Sequence, residues 1–513
     1  MTDKPGFEDD HLLVVNKPAG IATHRAGEMS PWGIYELLLN HGPNLSRLGI
    51  HQRLDRETSG VLIFSKSAEA RCSLSRQFEG RAVLKQYLFV TRGSATASNF
   101  EASDPVDGKK AKTRFQFQRR LPNGLYLWKA FPETGRTHQV RLHAAAHELR
   151  IVGDDEKNEP LLLHAARLDL QHPVTEKSVV FEAPIPSYFE TADIEQRRLQ
   201  AALALRQGLI NEKDTNACRW VHRHADGFPP ITVDRFGAWL YVEDFGSPCD
   251  HDLSPKTRWH DLLAMLKSNS AIQGIIRSFV SSAGSRQEKQ LVAGVSPASE
   301  IIIFENKVRY RVDLLRPGSP GLFLDQRENR RHLQSLSHGA RILNLFAYTC
   351  GFSVAAAAAG ACETMNVDLS RNALDRGQMN FLANNLNPAS HQFWTGDVFK
   401  CLAKLSRRKE RFDIVLLDPP SSSRSKASGH FSARRDYFGL VQLAATTVKE
   451  GGWLFCSSNL VSWKNDAFLA TVENGLKKAR RQVVERLWIP QPFDFPATPA
   501  HPPYLKSAWL RLE

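Results

Sequence analysis

An aspartate between two arginines is the first feature of this sequence that could do chemistry. Asp55 lies between Arg53 and Arg56, just before an apolar run at residues 61–64. Neighbouring positive charge favours the ionised form of a carboxyl group, and this form suits a nucleophile or a base better than a proton donor. A surface ion pair in a turn would show the same pattern, and this segment taken alone favours that simpler interpretation.

Further polar segments occur in an order that changes this interpretation. Residues 134–143 read Thr-Gly-Arg-Thr-His-Gln-Val-Arg-Leu-His, and residues 85–87 read Lys-Gln-Tyr at the end of a basic, helix-like stretch. Residues 16–20 read Asn-Lys-Pro-Ala-Gly, and residues 162–165 read Leu-Leu-His-Ala. In their order and spacing over about residues 8–190, these motifs resemble the RluA family of pseudouridine synthases.

The resemblance implies that uridine in RNA is isomerised without a cofactor: the glycosidic bond breaks, the uracil rotates, and a carbon–carbon bond to the ribose forms. It makes Asp55 the catalytic aspartate and Arg141 the cation that keeps Asp55 ionised. Tyr87 would pack on the flipped base, where an aromatic face offsets part of the lost stacking, and would assist proton transfer. The implied RNA contacts, of which Arg53 and Arg136 could instead be structural, are Arg53, Arg56, Lys85, Arg136 and His138.

The match has two departures from the family pattern. Gln52 stands where the family usually has histidine, and Gly153-Asp154 lacks the Tyr-Gly that commonly follows. These positions bear on substrate positioning more than on the chemistry. His143 and His147 are spaced for one helical face, but no third ligand stands beside them at helical spacing, so we expect no metal site.

A second group of acids occurs in the last third of the chain. Asp368, Asp397 and Asp418 each follow a strand-like apolar run. Another run at residues 342–346 leads through residues 347–353 into an alanine-rich stretch, whose small side chains would let a helix pack close to a sheet. The amides at the start of such a helix can hold a carboxylate. Acids at successive strand ends fit a ligand with a ribose, an adenine and a positively charged sulfonium.

This region resembles the class I S-adenosylmethionine-dependent methyltransferases and, over about residues 198–513, the RlmI and RlmK types of ribosomal RNA methyltransferase. The narrower resemblance uses the segments at residues 225–229, 317–327 and 504–506. It implies S-adenosylmethionine (SAM) as the methyl donor and Asp418 at the transfer site, with catalysis mainly by alignment. The implied donor contacts are Asp368 for the ribose, Asp397 and Val398 for the adenine, Phe323, Gln326 and Arg327 for the amino-acid end, and Phe346, Tyr348 and Gly351 in the strand-to-helix turn.

The methylated atom has two candidates. Methylation at carbon five of cytosine needs a cysteine nucleophile, for which Cys456 is the candidate. Compared with the Ser-Cys-Ser pattern of RlmI-like enzymes, Cys456 is displaced by one position, which on a strand turns a side chain to the other face. The Ser-Ser-Asn that follows is nearer to the RlmK-like guanine methyltransferases. We therefore favour a core cysteine and methylation of a guanine ring nitrogen.

The apolar pattern predicts the elements that position these residues. Short runs bounded by Gly, Pro and Asn over residues 1–190 predict an α+β pseudouridine synthase fold with a mixed antiparallel sheet. Residues 191–314 predict a linker helix, at about 192–209, and a small α+β middle domain. Apolar runs that alternate with helix-length stretches predict a Rossmann-like α/β methyltransferase over residues 315–513. A multidomain chain of three units also fits a length of 513 residues.

The charge and composition of the chain indicate which class of partner the protein binds. The net charge of +13 is concentrated, because residues 71–120 hold eleven Lys/Arg against four Asp/Glu and residues 401–450 hold ten against five. Such regions favour a polyanionic partner. The cysteines are seven and widely spaced, the start is acidic, and no apolar run is long enough to span a membrane. These features predict a cytoplasmic protein without a membrane partner.

The sequence therefore predicts a bifunctional RNA-modification enzyme that forms pseudouridine and methylates an RNA base with SAM, with ribosomal RNA as its partner. Two alternatives stay open. In one, a single unit is catalytic and the other is an RNA-binding platform. In the other, the protein is a ribosome-assembly factor without catalysis.

Overall fold

The structure is a computed structural model of the chain. It describes residues 6–41, 45, 47–93, 97–154, 159–245, 266, 271–280, 286–425 and 429–513. Within these ranges, no helix combines the length and the apolar character that crossing a membrane requires.

A ten-stranded sheet forms the N-terminal unit. Its strands are β1 (Phe7–Glu8), β2 (Leu12–Lys17), β3 (Gly49–Ile50), β4 (Ser59–Ser65), β5 (Leu84–Thr91), β6 (Asn99–Ala102), β7 (Thr113–Arg120), β8 (Tyr126–Pro132), β9 (Leu163–Gln171) and β10 (Ser178–Glu182). The order is β1-β2-β4-β9-β5-β8-β7-β6, with β3 beside β4 and β10 beside β9. Only the β4–β9 pair among these is parallel, which confirms the predicted mixed sheet.

Strand β4 lies inside this unit, and all seven of its residues are buried. Side chains alternate between the two faces of a strand, and here Leu62 and Phe64 join one core cluster while Val61 and Ile63 join another. Covering both faces explains why the strand reads as an unbroken apolar run. The helices of this unit are α1 (Ile34–His41), α2 (Ala68–Glu79) and α3 (Gln139–Ala146).

A helix then leads into a second sheet. Helix α4 (Ile194–Gln207) begins after Asp193, whose carboxylate accepts a hydrogen bond of 2.6 Å from the backbone N–H of Gln196. The next strands are β11 (Ala217–His222), β12 (Ile231–Phe236), β13 (Trp239–Asp244), β14 (Gly274–Val280) and β15 (Arg286–Gly294), followed by the hairpin β16 (Ile301–Glu305) and β17 (Val308–Val312). Strands β11 to β15 form one sheet in chain order.

The C-terminal unit is a seven-stranded sheet in the order β20-β19-β18-β21-β24-β26-β25. Its strands are β18 (Arg341–Leu345), β19 (Glu363–Asp368), β20 (Gln392–Thr395), β21 (Phe412–Leu417), β24 (Val448–Ser458), β25 (Val483–Trp488) and β26 (Lys506–Leu512), with the small hairpin β22 (Ser422–Ser425) and β23 (Gly429–Ser432) between β21 and β24. The helices are α5 (Arg327–Leu336), α6 (Gly351–Ala358), α7 (Arg371–Ala383), α8 (Val398–Arg407), α9 (Ala433–Ala445) and α10 (Asn465–Lys478).

Strands β20, β19, β18, β21 and β24 are parallel to one another, whereas β26 is antiparallel to both β24 and β25. Core clusters pack on the two faces of this sheet. This arrangement confirms the predicted α/β fold. Because carboxyl ends of parallel strands meet at one edge, the acids that follow β19, β20 and β21 share that edge.

A buried network joins the units around Asp494, which is 0 % exposed. Its carboxylate pairs with the guanidinium of Arg327 and accepts a 2.9 Å hydrogen bond from the backbone N–H of Arg219. Arg206 of α4 donates to the backbone carbonyl of Asp494 at 3.0 Å and binds the carboxylate of Asp226 through both terminal nitrogens. These contacts connect the linker helix, the middle sheet and the C-terminal unit.

Candidate functional site

The first site is a cavity of about 890 Å³ in the N-terminal unit. It lies between the loop before β4, strand β5 and the segment that enters α3. The three predicted catalytic side chains line it together with four of the five predicted RNA contacts: Asp55, Tyr87, Arg141, Arg53, Lys85, Arg136 and His138. Residues that are up to 88 positions apart in the sequence are therefore brought to one place.

Asp55 is held between an arginine and a histidine. The carboxylate Oδ2 lies 3.4 Å from Arg141 Nη1, and Oδ1 lies 3.6 Å from His138 Nε2. Arg141 also donates from Nε to Asp154 Oδ1 at 2.6 Å. Burial lowers the pKa of Arg141, but the hydrogen bonds and charges of Asp154 and Asp55 outweigh this and raise it overall. Asp154 thus anchors the arginine that faces Asp55, a role that the sequence motifs did not reveal.

Tyr87 projects from β5 into the same cavity. Burial, together with the negative charge of Asp55, raises the pKa of its hydroxyl well above the usual value. The hydroxyl therefore keeps its proton and can donate a hydrogen bond, while the ring offers a flat surface to a base.

Lys17 fixes the loop that carries Asp55. It is 0 % exposed, and its ammonium donates to the backbone carbonyls of Ile21 at 2.7 Å and Arg56 at 3.3 Å. Burial lowers its pKa to about 7. Thr58 lines the cavity with a buried hydroxyl that has no hydrogen-bond partner among the described residues. Lys17 belongs to the motif at residues 16–20, so the sequence could identify it as a residue of interest. The sequence could not show that it holds the loop of Asp55 in place.

The predicted RNA contact Arg56 lies elsewhere. Its guanidinium donates to the backbone carbonyls of Gly20 at 3.1 Å and of Ala497. It lines a neighbouring cleft rather than the Asp55 cavity. The structure therefore places Arg56 as a bridge between the N-terminal unit and the C-terminal chain, outside the Asp55 cavity, and its expected contact with RNA stays a prediction.

The second site lies at the carboxyl edge of the C-terminal sheet. In the turn after β18, Phe346, Tyr348 and Cys350 have positive φ angles of 61°, 48° and 59°. Such angles are uncommon for residues other than glycine and are often found where a backbone is shaped for a ligand. The turn ends at Gly351, the first residue of α6. The ring of Tyr348 lies 5.5 Å from that of the half-exposed Phe323.

Asp368 ends β19 beside this turn. Its carboxylate accepts hydrogen bonds of 2.8 Å from the backbone N–H groups of Tyr348 and Ser370. Burial nevertheless raises its pKa. Each oxygen keeps a lone pair, so this strand-end acid fits the ribose hydroxyls of a nucleoside donor.

The two predicted adenine contacts follow β20. Asp397 caps α8, since its Oδ1 accepts a hydrogen bond of 3.0 Å from the backbone N–H of Lys400. The side chain of Val398 is buried in the core of the unit. Any contact between Val398 and a ligand at this edge would therefore come from its backbone.

Asp418, the acid after β21, has a strongly raised pKa. Gln326 donates to its Oδ1 at 3.0 Å, and the hydroxyl of Ser457 donates to the same oxygen. Burial is the main cause that raises the pKa of Asp418 to about 6, and the nearby charge of Asp325 adds to it. Gln326, a predicted donor contact, is therefore hydrogen-bonded to Asp418, the predicted transfer residue.

Arg327 does not join this cluster. Its side chain is 2 % exposed, and its guanidinium is paired with Asp494 and the neighbouring Glu328. The guanidinium is therefore neutralised in the core, and the expected contact of Arg327 with the amino-acid end of the donor stays a prediction. Phe323 and Gln326, from the same segment, do face the edge.

Cys456 points away from this edge. Its side chain is 0 % exposed and belongs to the core cluster, whereas the next residue, Ser457, donates to Asp418. Burial raises the pKa of the Cys456 thiol well above its usual value. Because side chains alternate between the two faces of β24, Ser457 faces the site and Cys456 faces the core.

The comparisons with known proteins fit both sites. The model of the family described as RNA pseudouridylate synthase matches residues 11–146, and the model described as S-adenosylmethionine-dependent methyltransferase matches residues 221–505. "Ribosomal RNA large subunit methyltransferase I" of Aeromonas hydrophila is 32% identical over 334 residues, which cover 63% of this chain and 82% of that protein. "Ribosomal RNA large subunit methyltransferase" of Deinococcus radiodurans is 30% identical over 323 residues, covering 62% and 78%.

Solved structures of methyltransferases match the larger part of this chain. A methyltransferase structure in complex with SAH has a TM-score of 0.56 and 26% identity over 67% of this chain and 86% of that chain. A SAM-dependent methyltransferase from Streptococcus mutans has a TM-score of 0.55 and 25% identity over 65% and 85%. SAM is therefore the cofactor of the second unit, and the residues around Asp368 fit it. The chain belongs to the S-adenosylmethionine-dependent methyltransferases and carries an RNA pseudouridylate synthase domain ahead of that region.

Proposed function

We propose that both domains are active on RNA, and that large-subunit ribosomal RNA is the substrate of both. The observation that carries the first activity is Asp55 held by Arg141 and His138 in a cavity lined by basic side chains. The substrate is supported by the names of the relatives that match the second domain. A cytoplasmic location follows from this proposal, since ribosomal RNA is modified there.

In the first domain, Asp55 acts on an extruded uridine. Its carboxylate serves as the nucleophile or the base when the bond between ribose C1′ and uracil N1 breaks. A new bond then joins C1′ to uracil C5, the proton on C5 leaves to water, and N1, which kept the electron pair of the broken bond, takes up a proton. Arg141 pairs with the carboxylate of Asp55, while Tyr87 stacks on the uracil and donates a hydrogen bond. Basic side chains at the cavity, such as Arg53 and Arg136, meet the phosphates.

Loss of the C5 hydrogen gives a direct assay for this domain. With RNA that carries tritium at uracil C5, the wild type should release tritium to water, and Asp55→Asn should slow the release by at least about 100-fold, because general acid–base and nucleophilic roles contribute this much or more. Glu69→Gln, an exposed change in the first turn of α2, is the matched control and should keep full activity. Equal release by Asp55→Asn and the control would refute the role of Asp55.

In the second domain, bound SAM supplies an electrophilic methyl group. Asp368 would hold its ribose, the turn at Phe346 and Tyr348 would enclose it, and Asp397 would border the adenine. Phe323 and Gln326 would border its amino-acid end. Gln326 also orients the carboxylate of Asp418, which faces the transfer site.

Calorimetry with SAM tests this assignment without RNA. The wild type should bind SAM, and Asp368→Ala should weaken the affinity by about 100-fold, since two hydrogen bonds to a charged acceptor are lost. Asp375→Ala, an exposed change on the neighbouring α7, should bind as the wild type does. A wild type without measurable affinity would refute the assignment.

A further inference from the structure

A cleft of about 580 Å³ lies between the two catalytic units. We call it the junction cleft. Its walls are loops of the N-terminal unit, helix α4, residues 224–227 and residues 498–499. Two of its lining residues, His138 and Arg141, also line the Asp55 cavity. The junction cleft therefore adjoins the first site.

The junction cleft also adjoins a cavity of about 580 Å³ between the middle sheet and the C-terminal unit, since His224 and Ala225 line both. That cavity reaches the methyl-transfer edge at Phe323, whose ring lies 5.5 Å from the ring of Tyr348 in the turn after β18. Three adjoining cavities therefore connect Asp55 with the methyl-transfer edge.

One backbone turn forms part of the wall of both the junction cleft and the cavity beyond it. Thr498 lines the cleft and His501 lines the cavity. Their backbones exchange two hydrogen bonds of 2.9 and 3.0 Å, which close the turn. Arg56, from the loop that carries Asp55, donates to the backbone carbonyl of Ala497 just before this turn. The loop of the first site is thus fixed to the wall of the passage toward the second.

The passage carries groups that suit an RNA strand. The exposed rings of His224 and His501 are stacked, with centres 4.3 Å apart and planes within 14° of each other. Histidine rings are among the side chains on which unpaired RNA bases stack. Three arginines also line the junction cleft, namely Arg56, Arg141 and Arg198, and guanidinium groups bind phosphates well. The cleft can therefore contact both the bases and the backbone of a strand.

Negative charge in the cleft is largely compensated. Among the described lining residues, the carboxylates other than the exposed Glu57 are paired with arginines. The pairs are Asp154 with Arg141, Asp226 with Arg206, and Glu159 with Arg92 and Arg197. A phosphate chain in the cleft would therefore meet little uncompensated negative charge.

We propose that the junction cleft binds a single RNA strand that joins the uridine at Asp55 to the nucleotide at the methyl-transfer edge. Both modifications are then made on one RNA segment during one binding event. The inference rests on the proposed function, because it requires both units to act on RNA. Adjoining cavities with a shared wall are what a strand that spans the two sites requires, whereas two enzymes that act on separate RNAs need no such passage.

The positions of the two modifications give the first test. Large-subunit ribosomal RNA from a strain lacking this protein is incubated with the full chain and SAM, and both modified nucleotides are located in nuclease fragments by mass spectrometry. We expect both in one RNA segment. Modified nucleotides in separate domains of the RNA would overturn the shared strand.

A transcript of that segment gives the second test. It carries deuterium at uracil C5 and is incubated with SAM in large excess over the full chain, to low conversion. Isomerisation loses deuterium and methylation adds mass, so mass spectrometry of the intact transcript counts molecules with either change or both. Doubly modified molecules should exceed the product of the two single fractions at least about tenfold, because a strand bound at one site is held near the other.

Arg198 gives a substitution that should affect both reactions. It is half-buried on α4, and Gly227 leaves room for its stem. Arg198→Glu should raise KM for the transcript about tenfold in both tritium release and methyl transfer, because it replaces attraction to phosphate by repulsion. Arg198→Lys should restore most of the loss. Arg371→Glu, the same change of charge at an exposed position of α7, should behave as the wild type does.

The outcomes separate the passage from the two activities. The affinity for SAM should change less than twofold in Arg198→Glu, and if its unfolding midpoint falls, the count of doubly modified molecules in the wild type decides. Doubly modified molecules at the product of the single fractions, or a change of KM in only one reaction or in neither, would overturn the shared strand and leave both activities intact. A wild type that lacks either product would overturn the proposed function itself.

Discussion

At the scale of single residues, Asp418 should set the pH dependence of methyl transfer. Burial raises its pKa to about 6, so the carboxylate is mostly neutral at pH 5. Methyl transfer moves positive charge toward the base, and a neutral Asp418 no longer stabilises it. We expect the single-turnover rate at pH 5 to be about tenfold below that at pH 7.5, with an apparent pKa near 6. In Asp418→Asn the profile should be slow and flat across this range.

Unfolding does not explain this loss. The folded-state pKa of Asp418 lies above its usual value of 3.8, so the folded protein binds this proton more tightly than the unfolded chain does. The contribution of Asp418 to stability therefore increases as the pH falls from about 6 toward 4. Thermal unfolding measured at each pH is the control. A wild-type profile that follows the unfolding midpoint, or one that Asp418→Asn leaves unchanged, would contradict this role.

Asp55 shows what sequence patterns can predict about the contacts of a single residue. The sequence predicted a charged aspartate from the flanking Arg53 and Arg56, but in the described chain Arg141 and His138 lie 3.4 and 3.6 Å from its carboxylate. Arg56 is held by backbone carbonyls instead. The family motifs identified Arg141, whereas proximity in sequence pointed to the wrong cations. Distances between loops depend on the whole sheet, which local spacing does not encode.

At the scale of elements, strand β24 places two adjacent side chains, Cys456 and Ser457, on opposite faces with different functions. Ser457→Ala should slow methyl transfer by about tenfold or more, because a hydrogen bond to a charged group contributes about 1.5–3 kcal/mol. Cys456→Ala removes a core atom, so it should cost about 1 kcal/mol of stability but keep methyl transfer. Parallel assays of rate and denaturant midpoint distinguish the two effects. Loss of methyl transfer in Cys456→Ala at full folding would restore the cysteine as a nucleophile.

Elements with a clear apolar period were predicted well from sequence. The run at residues 61–64 became β4, and the strand-like runs before Asp368 and Asp418 became β19 and β21. Residues 85–87, expected to close a helix-like stretch, instead belong to β5. This strand pairs with β8 and β9, and such long-range pairing overrides a local helical tendency.

The cavity of about 580 Å³ between the middle sheet and the C-terminal unit could not be predicted in the same way. Its residues come from β11 to β13, from the segment before α5 and from the chain before β26, among other segments, so no local pattern joins them. The motifs at residues 317–327 and 504–506 contained Asp325 and Tyr504, but their hydrogen bond appears only in the folded chain.

At the scale of the whole molecule, the buried carboxylate of Asp494 should hold the units together. Asp494→Ala removes the carboxylate that binds both terminal nitrogens of the buried Arg327 and leaves only the longer contact with Glu328, and breaking a buried ion pair costs about 3–5 kcal/mol. We therefore expect a large drop in the thermal unfolding midpoint and weaker SAM binding. Glu28→Gln is the matched control, because it weakens an exposed contact with Arg486 that is worth less than about 1 kcal/mol. Equal midpoints for the two variants would contradict the bridging role.

The predicted domain limits at residues 190 and 314 fall between sheets, since β10 ends at Glu182 and β17 ends at Val312. They stay predictions, because contacts such as those of Asp494 and Arg56 cross them. Apolar patterns in the sequence predict the core of each unit. The packing between units depends instead on single polar residues such as Asp494 and Arg56.

The central claim, that one chain carries out two RNA modifications, is tested most directly by nucleoside mass spectrometry. Unmodified large-subunit ribosomal RNA, transcribed in vitro, is incubated with the full chain in the presence and absence of SAM. We predict pseudouridine under both conditions and a methylated nucleoside only when SAM is present, with Asp55→Asn removing the first product and Asp368→Ala the second. Formation of neither product, or of only one by the wild type, would contradict the claim.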